Sequence, residues 1–188
     1  IKYINSQENI IFKKSQILYG LKQNQAHIRE EKEIYLVEGY MDVIKLYCSD
    51  IKNVVSSLGT TLSETQLQKM WHLSDIPYIC FDGDIAGINA SKIIAEKVLK
   101  FLVPGKSLKF IKIPDNNDPD SYLQENKKND FLNLRSISKD LSTQVWENIQ
   151  DSIEINTPEF LAIIDEKIND MISKIKHPIV SKEYLRFL

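Results

Sequence analysis

The feature that most constrains this sequence is the alternation between short apolar runs and longer amphipathic stretches that begins at residue 33. Each apolar run is short enough to be a buried strand, and the segments between the runs have helical spacing. Parallel strands need long crossover connections, and helices usually supply them. The sequence therefore predicts an α/β fold with a parallel four-stranded sheet flanked by helices, whose strands are 34–37, 53–56, 78–81 and 108–113.

Helix signals fill the spaces between these strands. Ser63 with Gln66 three residues later forms a capping box, and residues 85–103 predict a longer helix that ends at a Pro-Gly pair. After about residue 120 the strand pattern stops. Helical spacing then predicts a small helical subdomain after the sheet, in which the apolar stripe of residues 161–175 is expected to be core.

Cysteine and histidine usage excludes several kinds of site. Cys48 and Cys80 are far apart and form no CxxC pair, so both are predicted to be reduced core residues. The three histidines are scattered, which argues against a zinc site or a catalytic triad. No apolar run approaches the roughly 20 residues that span a bilayer. A cytoplasmic protein without a membrane partner is expected.

Acidic residues follow three of the four predicted strands. Glu38 ends the first strand, Asp82 and Asp84 end the third, and Asp118 and Asp120 follow the fourth. Ligand sites of parallel α/β sheets gather at the carboxyl ends of the strands, so these five carboxylates should converge. Either Asp-x-Asp motif alone would also fit an ordinary turn. Crowded carboxylates without a lysine or arginine in their motifs imply cations, and oxygen ligands favour Mg²⁺ (or Mn²⁺) over zinc.

Four motifs follow one another along the chain: EGYMDV at 38–43, SLGT at 57–60, FDGDxAG at 81–87 and DPD at 118–120. In this order and spacing they resemble the Toprim domain, and within that superfamily the bacterial DnaG-type primases. The segment 2–20 is similar to the region that precedes Toprim in these primases, and the tail is similar to their closing helical bundle. The resemblance covers essentially the whole chain.

The resemblance implies the catalytic-core fragment of a nucleotidyltransferase. Such an enzyme is a DNA-dependent RNA polymerase that makes short RNA primers for replication by Mg²⁺-assisted nucleotidyl transfer. The implied partners are a single-stranded DNA template, ribonucleoside triphosphates and the replicative helicase, the last through a region absent from this chain. The implied location is the bacterial cytoplasm.

The resemblance also implies roles for individual residues. Glu38 matches a general acid or base that orders the metal site, and Asp42 and Asp120 match supporting acidic positions. Ile85 departs from the pattern, because many of these primases carry a basic residue there. The implied catalytic set is Glu38, Asp42, Asp82 and Asp84. The implied metal set is Glu38, Asp82, Asp84, Asp118 and Asp120, and Lys2 and Lys14 match positions that contact nucleotide or nucleic acid.

The same reading predicts how the chain is organised. The sequence begins at Ile1 without an initiator methionine, so a piece of a longer protein is expected. Its four predicted parts are 1–32, the end of an amino-terminal basic subdomain; 33–115, the Toprim domain; 116–136, the acidic DPD loop and connecting helices; and 137–188, the helical subdomain.

Three alternatives stay open at this point. The basic residues among the first 29 suit phosphate binding beside an acidic site, but they also fit a solvated face. Another Toprim enzyme, a topoisomerase or a nuclease, would use similar acids to break DNA. A non-catalytic fragment that docks nucleic acid or a helicase would need no metal affinity.

Overall fold

The computed structural model describes residues 8–10, 12–58, 61–114, 117–151 and 157–188. The four predicted apolar runs form parallel strands, so the α/β prediction is confirmed. The sheet order is β2-β1-β3-β4-β5, with only β5 antiparallel to its neighbour. The strands are β1 (Tyr35–Val37), β2 (Val54–Ser56), β3 (Tyr78–Phe81), β4 (Lys109–Lys112) and β5 (Lys139–Asp140).

The fifth strand corrects the predicted number of four. β5 consists of Lys139 and Asp140 alone, which pair with Phe110 and Lys109 of β4. Two residues are too few to show the alternation by which a strand is recognised in sequence. The pairing covers the outer edge of β4, where unpaired backbone groups would otherwise be exposed.

Helices connect the strands and continue after the sheet. The Ser63 capping box forms as predicted: the Ser63 Oγ accepts the Gln66 N–H at 3.1 Å, and the Gln66 Oε1 accepts the Ser63 N–H at 2.9 Å. The helices are α1 (Leu21–Glu31), α2 (Tyr40–Cys48), α3 (Glu64–Trp71), α4 (Ile85–Val98), α5 (Pro119–Glu125), α6 (Lys128–Ser136), α7 (Leu141–Gln150), α8 (Pro158–Ser173) and α9 (Pro178–Phe187).

The fourth helix ends earlier than predicted. α4 stops at Val98, and a 3₁₀ turn, Leu99–Phe101, continues the chain to Leu102. Pro104 lacks an N–H and disfavours helical geometry in the residue before it, so the predicted end at residue 103 was too late.

Both faces of the sheet are buried, because successive side chains of a strand point in opposite directions. Ile79 and Phe81 of β3 join a core with α3, α4 and α7. Cys80 of the same strand joins a second core that includes Leu46 of α2 and Phe131 of α6. The strand ends are therefore held between two helical layers.

Two burial predictions were wrong in part. Cys80 is buried, but Cys48 is exposed, and both are free thiols. Cys48 lies on the side of α2 away from Val43 and Leu46, which face the core. In the stripe 161–175, the carboxyl-terminal part is buried, as at Met171. Leu161 at its start is 50% exposed.

The described residues include no helix with the length and apolar character needed to cross a bilayer.

Candidate metal centre at the carboxyl ends of the strands

Three neighbouring strands deliver acidic side chains to one edge of the sheet. Glu38 follows β1, Asp82 follows β3, and Asp118 lies beyond the turn after β4. The charges of Glu38 and Asp118 both act on the carboxyl of Asp82 and raise its pKa. The fold thus brings together residues that lie 80 positions apart in the sequence.

Asp82 has one carboxylate oxygen that receives no hydrogen bond from the described residues. Burial, together with the nearby charges of Glu38, Asp42, Asp118 and Asp84, raises the pKa of its carboxyl to about 7. Its Oδ1 atom is buried, and no described residue donates a hydrogen bond to it. A buried anionic oxygen without a donor is costly, so a bound cation would favour the charged form of this side chain.

Asp42 supports the site through the backbone. It is 7% exposed in the first turn of α2, and its Oδ2 accepts the Gly39 N–H at 2.9 Å. The pKa of Asp42 is raised to about 6, because burial and the charges of Asp118, Asp120 and Glu38 raise it by more than the hydrogen bond from the Gly39 N–H lowers it. Its carboxylate therefore fixes the start of α2 directly after Glu38.

Asp84 and Asp118 cap helices whose amino ends face this edge. The Oδ1 of Asp84 accepts the Gly87 N–H of α4 at 2.8 Å, and the Oδ1 of Asp118 accepts the Ser121 N–H of α5 at 2.6 Å. Each cap uses Oδ1. The partial positive charge of a helix amino end offsets part of the repulsion between the carboxylates.

Asp120 has a cation supplied by the protein itself. The Lys45 Nζ of α2 lies 3.6 Å from its Oδ1, and the Gln124 Nε2 donates to the same oxygen at 3.2 Å. Lys45 and Asp120 are 75 positions apart, and no motif in the sequence links them. Their pairing separates Asp120 from Asp82, which has no such partner among the described residues.

Two glycines allow the backbone to close around Asp82. A Cβ atom on Gly87 would lie 2.2 Å from the Asp82 carbonyl oxygen, and one on Gly83 would lie 2.3 Å from the Ile113 carbonyl oxygen. The Gly83 N–H also donates to the Asn117 carbonyl at 2.8 Å. The turn after β3 is therefore packed directly against the turn after β4.

Sequence reasoning missed Ser56 at the end of β2. Its Oγ donates to the Glu38 carbonyl at 2.6 Å and accepts the Leu58 N–H at 3.0 Å. Ser56 is fully buried, so these bonds hold the end of β1 against its neighbour. A polar residue that ends a buried strand was the available signal.

The donor chemistry of this edge fits a hard divalent cation, because every candidate ligand is a carboxylate. Among the described residues, no three acidic, histidine or cysteine side chains are placed to hold a metal ion together.

Comparison with known proteins identifies the family. Residues 35–123 match the Toprim-like family. The chain is 34% identical over 186 residues to the DNA primase of Rickettsia bellii, and the aligned region covers 99% of this chain and 31% of that protein. It is 36% identical over 181 residues to the DNA primase of Neisseria meningitidis serogroup A, and the aligned region covers 96% of this chain and 31% of that protein. This chain belongs to the bacterial DNA primase family.

Solved primase structures share the fold. A DNA primase domain from Pseudomonas aeruginosa superposes with a TM-score of 0.90 at 32% identity, covering 98% of this chain and 58% of that chain. The catalytic domain of DnaG primase bound to single-stranded DNA gives a TM-score of 0.89 at 30% identity, covering 98% and 60%. The chain spans about a third of the length of the curated primases that it matches, 31% of the first two given above.

Family membership supports the use of divalent metal ions in general.

Two basic residues, Lys2 and Lys14, were predicted to contact nucleotide or nucleic acid. Lys2 lies outside the described residues. Lys14 lies in a 3₁₀ turn (Lys14–Gln16), where its carbonyl accepts the Gln66 Nε2–H of α3 at 3.0 Å. Within the described part of the chain, Lys14 forms no ion pair with the acidic edge.

Proposed function

We propose that this chain forms the metal-binding part of the catalytic core of a bacterial DNA primase, which joins ribonucleotides into short RNA primers on a single-stranded DNA template. The observation that carries the proposal is the uncompensated carboxylate of Asp82, which lies among the charges of Glu38, Asp84 and Asp118 at one edge of a primase-type fold. Such an edge suits divalent cations, and nucleotidyl transfer depends on them.

In this proposal Asp82, Asp84 and Asp118 hold Mg²⁺ (or Mn²⁺), and Glu38 orders the site and moves a proton as general acid or base. When bound, the cation neutralises triphosphate charge and polarises the reacting phosphate. The chain contributes orientation: the Gly87 and Ser121 N–H groups fix the Oδ1 atoms of Asp84 and Asp118. These groups are set before the nucleotide arrives, which lowers the cost of ordering them.

Asp42 and Asp120 take supporting roles. Asp42 anchors the start of α2 through Gly39, so it fixes the backbone that carries Glu38. Asp120 draws Lys45 towards the edge, which places one positive charge beside the carboxylates. This positive charge would contact a phosphate or moderate the affinity of the acids for a second cation.

The proposed partners follow from the family. Single-stranded DNA is supported by the related DnaG catalytic domain that was solved with it bound. Ribonucleoside triphosphates, contacts from Lys2 and Lys14, a replicative helicase that binds outside this chain, and a cytoplasmic location belong to the same proposal. So does the division of the chain at residues 32, 115 and 136.

Metal binding by the chain itself tests the site. Mn²⁺ titration followed by electron paramagnetic resonance should show binding that Asp82→Asn weakens at least about 100-fold, because removal of a direct ligand exceeds the usual loss from an outer-sphere change. Asp75→Asn is the matched control: it makes the same chemical change at the other end of the sheet and should leave Mn²⁺ affinity unchanged.

Primer synthesis tests the reaction. In the complete protein that carries this chain, ribonucleotide incorporation on single-stranded DNA should be lost with Asp82→Asn and kept with Asp75→Asn. Full incorporation by Asp82→Asn would refute the assignment. Relaxation of supercoiled DNA without ribonucleotide incorporation would instead favour a topoisomerase.

A further inference from the structure

A buried glutamine side chain joins α3 to the segment that carries Lys14. Gln66 is fully buried, and its Nε2 atom donates to the Lys14 carbonyl at 3.0 Å and to the Ile17 carbonyl at 2.8 Å. The donor and its two acceptors are 52 and 49 positions apart in the sequence. The contact is therefore made by the fold rather than by local chain geometry.

Every backbone carbonyl of residues 14–17, called here the anchored segment, accepts a hydrogen bond from a side chain at α3. Besides the two bonds from the glutamine amide, the Ser63 hydroxyl donates to the Ser15 carbonyl at 2.5 Å. The Lys69 ammonium donates to the Gln16 carbonyl. The three donors recur every three residues, so they lie along one side of the helix.

The amide of Gln66 serves the anchored segment rather than the helix. The start of α3 needs only an acceptor at this position, and the Gln66 Oε1 supplies it to the Ser63 N–H at 2.9 Å. A glutamate would complete the same capping box. The amide nitrogen, in contrast, faces two carbonyl oxygens, which a carboxylate would repel. The anchored segment thus explains why an amide rather than an acid stands here.

The chain that follows the anchored segment is tied to the metal centre. Leu18 is buried in the core, and Tyr19 exchanges two backbone hydrogen bonds with Ser56, at 2.9 and 3.1 Å. The Ser56 Oγ in turn donates to the Glu38 carbonyl at 2.6 Å. Lys14 therefore lies on a short stretch of chain that is held at α3 and at the residue that fixes the backbone of Glu38.

From these contacts we propose that Gln66 is a positioning residue, which holds Lys14 where its ammonium meets a phosphate of the ribonucleotide or of the template strand. The inference rests on the proposed function, in which Lys14 contacts nucleotide or nucleic acid. Lys14 is partly exposed and forms no ion pair within the described residues, so its charge is available. A lysine side chain is long and flexible, so a fixed backbone limits the volume that its ammonium must search.

Primer synthesis by the complete protein that carries this chain tests the inference. Gln66→Glu keeps the acceptor of the capping box and replaces the amide donor by an oxygen that repels both carbonyls. We expect kcat/KM to fall about tenfold, since a displacement of about 1 Å can cost up to a hundredfold. Separate titrations of ribonucleotide and of template show which phosphate Lys14 meets. Gln68→Glu makes the same change on the exposed side of α3 and should leave kcat/KM unchanged.

Coupling to Lys14 separates positioning from a general loss of stability. Lys14→Gln alone should lower kcat/KM at least about tenfold, the loss expected for one hydrogen bond to a charged group. When Lys14→Gln is added to Gln66→Glu, it should cost less than about twofold more, because a misplaced ammonium has little left to contribute. A substitution that only destabilised the fold would leave the cost of Lys14→Gln unchanged.

A milder variant carries the same test if Gln66→Glu fails to fold. Lys69→Met removes an exposed donor to the Gln16 carbonyl and leaves the buried side of α3 intact. It should lower kcat/KM about threefold, as for one ordinary hydrogen bond, and show the same coupling to Lys14. Lys69→Arg should restore kcat/KM, because a guanidinium can donate to the same carbonyl.

Three results would overturn the inference. The first is unchanged primer synthesis by Gln66→Glu, and the second is an undiminished cost of Lys14→Gln in its presence. The third is full synthesis by Lys14→Gln alone, which would leave nothing to position. None of these results touches the metal centre: loss of synthesis with Asp82→Asn would still support the proposed function, and only full synthesis by that variant would refute it.

Discussion

The two ends of the parallel sheet carry similar acids but compensate them differently. At the amino end, carboxylates that precede β1, β2 and β3 are paired with basic residues of the chain. At the carboxyl end, Asp82 has a buried oxygen without a donor among the described residues. The amino-end pairs are Glu33 with Arg135 at 2.5 Å, Asp50 with Lys128 at 2.9 Å and Asp75 with Lys106 at 2.6 Å.

The difference shows which acids stabilise the fold and which are placed for a ligand. An ion pair within the protein satisfies both partners at once, so the amino-end acids need nothing from outside. Asp82 raises the free energy of the folded chain until a cation arrives. The sequence shows that a residue is acidic but not whether it is paired within the protein. The neighbouring residues in the folded chain decide whether the acid stabilises the fold or is placed for a ligand.

The largest effect should come from closing the space beside Asp82. Gly87→Ala places a Cβ atom 2.2 Å from the Asp82 carbonyl oxygen, which is backbone and cannot turn aside. We expect a loss of about 3 kcal/mol in the free energy of unfolding, together with weaker Mn²⁺ binding. Urea denaturation and Mn²⁺ titration measure the two quantities.

Asn89→Ala on the exposed side of the same helix is the control and should change neither quantity. A Gly87→Ala variant with unchanged stability would show that the turn after β3 relaxes freely.

An effect of intermediate size is expected when an acid is replaced by its amide. The resulting change in stability should have opposite signs at the two ends of the sheet. The pKa of Asp82, about 7 in the folded chain and ordinary in the unfolded chain, means that the folded chain retains a proton that the unfolded chain releases. Stability of the metal-free protein should therefore fall as pH rises from about 4 to 7. Asp82→Asn should reduce this dependence, of which Asp42 supplies the rest, and should stabilise the metal-free chain at pH 8 by about 1 to 2 kcal/mol, after allowance for partial exposure.

Glu33→Gln makes the same acid-to-amide change at the amino end and should destabilise the chain by about 1 kcal/mol, because it breaks the pair with Arg135. Thermal unfolding in EDTA across this pH range measures both variants. If the two substitutions shift stability in the same direction, the contrast between the ends is wrong.

The smallest effect concerns Lys45, a lysine that pairs with one of the acids at the carboxyl edge. Lys45→Gln removes the ammonium 3.6 Å from Asp120, so Mn²⁺ affinity should rise about threefold at low ionic strength and less at high salt. Lys52→Gln is the control, since Lys52 pairs with Asp50 at the amino end. Calorimetric titration of the two variants should separate them, and equal affinities would remove Lys45 from the site.

The parallel strands and the acids at their carboxyl ends could be predicted because both are local signals. A buried strand is an apolar run, and a residue that follows it lies at a known edge of the sheet. The positions of Glu38 and Asp82 at this edge were predicted in this way. The fold class and the family followed from the same motifs.

Other features were beyond sequence reasoning because they depend on packing between distant segments. β5 has two residues, and its pairing with β4 is set by the position of α7 rather than by pattern. Lys45 meets Asp120 only because α2 packs on α5. The exposure of Cys48 depends on which side of α2 faces the core.

The caps of α4 and α5 make two backbone amides into natural reporters of cation binding. The Gly87 and Ser121 N–H groups donate to the Oδ1 atoms of Asp84 and Asp118, so fraying of either helix end releases a carboxylate from its place in the site. Ordering of those carboxylates by a cation must, by linkage, suppress the fraying. Slower hydrogen exchange at these two amides would then register occupancy of the metal centre without any assay of catalysis.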